Sequence, residues 1–402
     1  MIRACTSLSE MSAAFAPIWH YFGHLPPSEE ATKHFHRVLT PERTIAAFDG
    51  ARATAGSAAF DFDLTVPGGS VKAAGITVVG VLPTHRRRGL LTQLMRANID
   101  AARERGEPVA VLWPSEDTIY GRFGYGMASQ SAEIDAPRDR MGPYRDIDTS
   151  GEMRLVSLGD AESLVAPVYA RVARQTPGMF ARSAAWWQDR LLIDYPWRRQ
   201  SNGALQCAVL EIGGEAAAYA FYRCNPGFER GSSTGNVLVV EAMGVDAAAT
   251  HAIWRYLFGI DWLARVKAYF LPMDHPMLLS LAEPRRLNFL VREGIWVRLI
   301  DVGAALAART FNAGEPVVIE VTDVFCPWNA GRWRVGQGGA ERTEAAADLA
   351  CDVQSLGCVY LGGFSFAELS RALRVAELRP GGIARADALF ATSAKPWCPE
   401  LF

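Results

Sequence analysis

Two spacings of apolar residues organise this chain. Ile76 to Val81 is a short, mostly apolar run, which predicts a buried strand, and Pro83, lacking an N–H for the ladder, predicts its end. From Leu90 the spacing becomes helical: Leu90, Leu91, Leu94, Met95 and Ile99 share a face, predicting a helix to about Arg105, with Thr84 as its candidate cap. Upstream, Met11, Phe15, Ile18, Trp19 and Phe22 form a stripe that predicts a helix over residues 10–24, kinked or started late by Pro17. A second helix is expected over Glu29–Val38. Thr44–Phe48 and the alternating, half-buried Ala59–Val66 predict strands, and Val71–Val81 leads into the central turn. Val109–Trp113 is another buried strand, with a short helix after it.

Residues 136–155, rich in Pro, Gly, Arg and Asp, mark a boundary. Beyond it, residues 161–173 predict a helix despite Pro167, and Trp186-Trp187 a core pair on another. Residues 205–212, 215–223 and 236–245 predict strands, and residues 250–262 an amphipathic helix. The order of strands and then helix repeats that of the first part, yet Asp246-Ala247-Ala248-Ala249 stands where the first part has arginines and a glycine. From Ile295 a third part carries strands near 297–302, 316–322, 331–336 and 349–353 and helices near 365–373 and 385–391. The expectation is an α/β (α+β) chain of three units, 1–145, 146–294 and 295–402.

Composition narrows the class. The 402 residues are half hydrophobic and 21% charged, as in globular proteins. A net charge of −2 gives no reason to expect nucleic acid or an anionic membrane as partner, and no run of about 20 apolar residues exists to span one. Seven scattered cysteines without a Cys-x-x-Cys pair suit buried free thiols in a reducing compartment and no structural zinc. His20, His24, His34 and His36 are spaced without a carboxylate or cysteine, so no metal is expected there either. The polar start of the chain is not a signal peptide, and the cytoplasm is the expected location.

The candidate chemistry lies in Pro83-Thr84-His85-Arg86-Arg87-Arg88-Gly89-Leu90-Leu91. A strand, a cationic turn and a helix N-terminus together offer free N–H groups and a positive dipole end to a phosphate, and Gly89 admits close approach. Neither the Walker A nor the dinucleotide glycine pattern is present. The spacing Arg86-x-x-Gly89-x-Leu91 resembles the acetyl-CoA pyrophosphate loop of the GNAT N-acetyltransferases, with Leu91 where that pattern has Gly or Ala. A second feature agrees: after Ser115-Glu116, Tyr120 precedes Gly124-Tyr125, as a helix tyrosine precedes a Gly-aromatic turn in that superfamily. Tyr125 is read as core.

Gly357-Cys358-Val359-Tyr360-Leu361-Gly362-Gly363 and the helix after it resemble a sterol-carrier-protein-like domain. With the terminal Phe402, the whole chain resembles the enhanced intracellular survival (Eis) acetyltransferases. That resemblance implies two tandem GNAT lobes, the second without a cofactor site, and a sterol-carrier-like third domain. It implies acetyl-CoA-dependent N-acetylation of polycationic amines such as aminoglycosides, often at several positions, by a homohexamer. Its cofactor contacts fall on Val79, Gly80, Val81, Arg87, Arg88, Gly89, Leu90, Leu91, Thr92, Ser115 and Glu116. Its acid matches Tyr120, and its base the α-carboxylate of Phe402.

The chemistry is coherent by itself. An amine attacks a thioester only as the free base, so one group takes a proton and another protonates the leaving thiolate. A phenol, with reference pKa about 10, suits the second task. An α-carboxylate is a weak base unless desolvated, and it also holds a cationic amine by charge. Backbone N–H groups at the splayed end of Val79–Val81 are candidate oxyanion donors. Glu400, Asp61, Asp63, Glu29 and Glu30 are candidate partners for a polycation, each equally a solvated surface charge. Leu401 before Phe402, and His20 and His24 in the N-terminal arm, depart from the family's acidic pattern, which bears on aminoglycoside preference more than on acetyl transfer and leaves a less charged amine open. A lipid- or acyl-CoA-binding protein without catalysis is the alternative; its lipid form requires an apolar tunnel in the third part.

Overall fold

The computed structural model describes residues 1–23, 34–50, 52–147, 150–195, 199 and 201–402. Residues 29–33 of the expected helix Glu29–Val38 lie outside them, as does His24, while residues 34–36 are helical. Contacts divide the chain into two units, the first Met1–Ser129, Ile295–Ser393 and Leu401–Phe402, the second Gln130–Gly294 and Ala394–Glu400. Among the described residues, no helix is long and apolar enough to cross a membrane.

The first unit is built on a seven-stranded sheet: β1 (Ile2–Ala4), β2 (Thr44–Asp49), β3 (Arg52–Val66), β4 (Gly69–Val81), β5 (Val109–Leu112), β16 (Trp296–Leu299) and β6 (Gly126–Met127), in that spatial order. All neighbours are antiparallel except β4 and β5, which pair in parallel from Ala73↔Val109 to Gly75↔Val111. Beyond Gly75, β4 continues six residues without β5. A bulge explains the divergence: the β3–β4 register slips between Gly56↔Gly80 and Ala58↔Thr77, and Val78 there takes φ +48°. An extra residue bends the bulged strand and sharpens its twist.

Helix α1 (Leu8–Tyr21) starts at Ser7, whose hydroxyl accepts from the Glu10 N–H at 3.2 Å, and it passes through Pro17, which is buried. It lies so close to β4 that a Cβ on Gly80 would stand 2.7 Å from the Ile18 nitrogen. Helix α2 (Leu90–Glu104) buries Leu94, Met95, Asn98, Ile99 and Ala102. Each large apolar side chain there contributes roughly 1.5–3 kcal/mol on leaving water. Thr84 does not cap this helix. It belongs to a 3-10 turn, Pro83–His85, and bonds the His85 ring at 2.8 Å, while Gly89 holds the cap position in the left-handed conformation, φ +76°. Strand β3 is longer than expected and buried over Ala53–Phe60 without alternation, because α1 and α2 both pack against it.

The second unit repeats the plan. Its sheet runs β15 (Leu290–Glu293), β7 (Gln130–Pro137), β14 (Arg265–Leu271), β13 (Asn236–Gly244), β10 (Glu215–Asn225), β9 (Leu205–Ile212) and β8 (Glu152–Val156). A small ribbon, β11 (Phe228–Glu229) with β12 (Ser232–Ser233), stands apart. The parallel pair is β13 and β14, from Asn236↔Arg265 to Val239↔Ala268. Helix α4 (Leu158–Ala173) is capped by Ser157, and α5 (Ala247–Gly259) by Asp246, whose carboxylate accepts from the Ala249 N–H at 2.8 Å. Trp186 and Trp187 are buried, as their pairing predicted.

Residues 394–400 form a strap on this unit. Trp397 donates its N–H to the Pro177 carbonyl at 2.8 Å and its indole N–H to the Phe270 carbonyl. Glu400 is largely buried and ion-paired rather than a solvated surface charge. Its carboxylate accepts from Arg182 Nε at 2.7 Å and from the Trp186 indole at 3.0 Å, and Arg182 also grips Glu241 at 2.9 Å. The Arg182 side chain has no exposed surface.

The rest of the first unit carries a five-stranded sheet, ordered β19 (Gly339–Arg342), β18 (Gly331–Gly336), β17 (Val317–Thr322), β20 (Leu349–Asp352) and β21 (Val375–Glu377). Helices Val353–Tyr360 and Gly382–Phe390 end on one buried arginine. Arg309 donates to the carbonyls of Tyr360 at 2.6 Å and Phe390 at 3.0 Å, beneath the Phe311 and Phe390 rings. Carbonyls at helix C-termini carry partial negative charge, which suits a cation. Burial still lowers this guanidinium to about 10.

Candidate active site

The divergence of β4 from β5 opens a cleft of about 600 Å³ in the first unit. Its walls come from four segments: the end of α1 (Ile18, Tyr21, Phe22), the end of β4 (Val79, Gly80, Val81), the turn into α2 (His85, Arg86, Arg87, Gly89, Leu90, Leu91, Thr92), and the stretch after β5 (Ser115, Glu116, Ile119, Tyr120, Arg122). That last stretch holds helix α3 (Asp117–Tyr120), closed by the turn Gly121–Phe123 and by Gly124 at φ +84°.

The turn fits a diphosphate. No side chain caps α2, so its first N–H groups remain available for an anion. A Cβ added to Gly89 would meet only the Gln93 amide, at 3.7 Å, so the backbone there lies open to close approach. Arg86 and Arg87 line the cleft beside it, whereas Arg88 is not on its wall.

Tyr120 is 5% exposed, yet it borders the cleft. Burial raises the phenol above its ordinary range; the Ser115 side chain partly opposes this, and the Glu116 charge adds to it. The group therefore remains a neutral proton donor through neutral pH. Tyr125 packs edge-on against Tyr120 at 6.1 Å and is fully buried, a core residue as expected. Phe402 is not on the cleft wall. Its ring meets Phe62 at 4.9 Å and Phe60 at 6.4 Å, both edge-on.

Among the described residues, the other expected carboxylates, Asp61, Asp63 and Glu400, have partners. Asp63 and Asp61 pair with Lys72 at 3.1 and 3.7 Å on an exposed face, and Glu400 is tied to Arg182. Cleft residues not anticipated are Ile18, Tyr21, Phe22, His85, Arg86, Ile119 and Arg122. The helical stripe marks Ile18 and Phe22 only as apolar; Arg86 opens the spacing read as the pyrophosphate loop but is not among the expected contacts, and Arg122 lies inside a quoted motif without a role. All seven cysteines are free, and burial pushes Cys5 and Cys207 up to about 12, which leaves them poor nucleophiles.

A bulged strand diverging from a parallel neighbour, an uncapped helix behind a cationic turn and a buried tyrosine define an acyltransferase site of the GNAT class. The acetyltransferase (GNAT) domain family matches residues 2–128 and again 178–299, and the sterol carrier protein domain family matches 302–399. An uncharacterized N-acetyltransferase of Streptomyces avermitilis is 42% identical, covering 95% of this chain and 94% of its own. N-acetyltransferase Eis of Mycobacterium tuberculosis is 34% identical over 83% of this chain and 81% of its own. The crystal structure of Eis1 from Mycobacterium abscessus superposes with a TM-score of 0.87 at 34% identity, covering all of both chains. The chain belongs to the Eis family of N-acetyltransferases, two GNAT domains followed by a sterol-carrier-like domain, and it is an acyltransferase enzyme.

Proposed function

We propose that the enzyme transfers the acetyl group of acetyl-CoA to primary amines, with polycationic acceptors such as aminoglycosides first among the candidates and several amines of one acceptor open to reaction. The observation that carries this reading is one cleft holding three things together: the uncapped arginine-glycine turn, the end of β4 that β5 leaves uncovered, and Tyr120. Acetyl-CoA supplies the activated acyl carbon. The turn and Arg87 hold its diphosphate. Backbone N–H groups along Val79–Val81 receive charge developing on the carbonyl oxygen. Tyr120 gives its proton to the departing thiolate.

The base falls on the Phe402 α-carboxylate, as the family likeness implies. That assignment rests on the likeness: the Phe402 ring packs edge-on against Phe62 and Phe60, and the residue is not on the cleft wall. Asp61 and Asp63 pair with Lys72 and Glu400 pairs with Arg182, and singly charged amines follow polycations as candidate acceptors. By the same likeness the assembly is a homohexamer, which light scattering measures.

Thiol release from acetyl-CoA over aminoglycosides, linear polyamines and lysine peptides, with product masses, tests the reading. Multiply acetylated aminoglycoside supports it in full. Release only with simpler amines keeps the reaction and changes the acceptor. No release with any amine overturns it.

A further inference from the structure

Helix α3, which carries Tyr120, is a single turn of four residues with no side-chain cap. So short a helix has too few internal hydrogen bonds to hold itself in place. Its position is set by the packing of the six residues that follow, Gly121 to Gly126, and much of that packing comes from the sterol-carrier-like part. A Cβ on Gly121 would stand 2.7 Å from Gln354 Nε2, one on Gly124 would stand 2.9 Å from Val353 Cγ1, and one on Gly126 would overlap the Gln354 carbonyl. Between these glycines the Phe123 ring meets the Phe325 ring edge-on at 5.2 Å. Gly121 has helical angles, φ −55° and ψ −39°, where alanine is the better helix former. The nearness of Gln354, and not the backbone conformation, accounts for the glycine there.

Arg298, on β16, supports the same stretch. Its side chain has no exposed surface, and its Nη2 donates to Asp323 Oδ2 at 2.6 Å. Asp323 is held in turn, accepting from the Cys326 N–H at 2.8 Å and the Asn329 amide at 2.9 Å. Arg298 Nε and Nη1 are buried without a hydrogen-bond partner among the described residues. A buried ion pair with donors left over is a poor source of stability, since apolar groups of the same volume often serve as well. Its location gives it another use. A Cβ on Gly124, where the chain reverses at φ +84° after α3, would stand 2.6 Å from Arg298 Nη1.

Resting on the reading of Tyr120 as the acid, we propose that the sterol-carrier-like part serves the transfer step as a brace. Gln354 and the Arg298–Asp323 pair are positioning residues: they hold the stretch from Gly121 to Gly126, and through it they hold Tyr120 to its place on the cleft wall. None of the three lines the cleft, so they act on proton delivery to the thiolate and not on the seating of the donor.

Two variants of the full chain test this. Gln354→Ala removes the side chain against Gly121; Arg298→Met with Asp323→Asn removes both buried charges and keeps both shapes. Each is expected to lower kcat about 10–100-fold at saturating acetyl-CoA, the scale of a displaced catalytic group. CoA affinity, read by calorimetric titration, should stay that of the wild type. Tyr120→Phe separates positioning from general damage. Residues that act only through the phenol have nothing left to position in that chain, so adding either variant to Tyr120→Phe should lower kcat no further. Losses that multiply in the Tyr120→Phe chain overturn the proposal, and so does wild-type kcat in both variants while Tyr120→Phe alone is impaired; the acid reading survives either result. Full turnover in Tyr120→Phe overturns the acid reading and the proposal together. If the charge-pair variant does not fold, Gln354→Ala decides by the same comparison.

Discussion

The two acetyltransferase lobes follow one plan and differ at three points of it. In the first, β4 passes through Arg86-Arg87-Arg88-Gly89 into a helix with no side-chain cap; in the second, β13 passes into α5 with the Asp246 carboxylate already on the Ala249 N–H. A carboxylate there satisfies the donors and the dipole that a phosphate would use, and it repels the phosphate. The short helix after the parallel strand ends in buried Tyr120 in the first lobe. In the second, the matching helix α6 (Met277–Ser280) ends in Ser280, whose hydroxyl meets the His251 ring at 3.5 Å. The opening between the parallel strands is about 600 Å³ in the first lobe. In the second, Trp397 and Pro399 of the strap leave about 10 Å³ between the ends of β13 and β14. Topology supplies the groove, and three local choices decide whether it holds a ligand.

Four experiments break or sharpen this comparison. Tyr120→Phe should lower kcat about 10²–10⁴-fold at saturating donor, with CoA affinity retained. Ser280→Ala, at the matching place in the second lobe, should leave turnover as it was. The pH profile belongs to the same test. Because burial raises the Tyr120 phenol, the acid stays protonated as pH rises past its reference value, so no loss of kcat from this group is expected below about pH 10. A fall assigned to the phenol near pH 8 would count against the assignment.

Arg182→Leu should destabilise the chain by about 3–5 kcal/mol, since it leaves Glu241 and Glu400 buried without their cation. A melting temperature unchanged from wild type would show that the strap is not held this way. Gly89→Asp gives the first lobe the second lobe's kind of cap, on a left-handed residue. CoA affinity should fall about 10–100-fold by titration, through repulsion and strain together. Unaltered affinity would mean that the turn does not seat the diphosphate. The smallest effect is expected from Asp246→Ala, about 1 kcal/mol of stability from the lost cap. It should not add a second CoA site per chain, because Trp397 and Pro399 still fill the groove. A stoichiometry of two would break the comparison.

Much of the first lobe was legible in residue order. Its strand, turn and helix are encoded within some thirty consecutive residues, where periodicity and backbone chemistry act locally. The matching segment of the second lobe was legible for the same reason, including the Asp246 substitution. Thr84 misled because a good capping residue stood five positions early. The turn needed the left-handed residue at Gly89 to redirect the chain, and only glycine takes that conformation without strain. Strand β3 hid its length because two helices cover it and remove the alternation that marks a half-exposed strand. Glu400 kept two readings open because neither of them included the buried arginine more than two hundred residues away.

The sequence by itself determined the class of chemistry: an arginine-glycine turn between strand and helix, a tyrosine after the next strand, and a second lobe with an aspartate in place of the turn. These are short-range patterns whose physics lies in neighbouring residues. Tertiary structure alone decided which cations face the cleft, that Arg86 and not Arg88 is among them, and that Tyr21 reaches Val81 across sixty residues. It also decided that the strap of residues 394–400 fills the second groove. Those outcomes depend on where distant segments meet, and spacing along a chain carries no record of which surfaces close on each other.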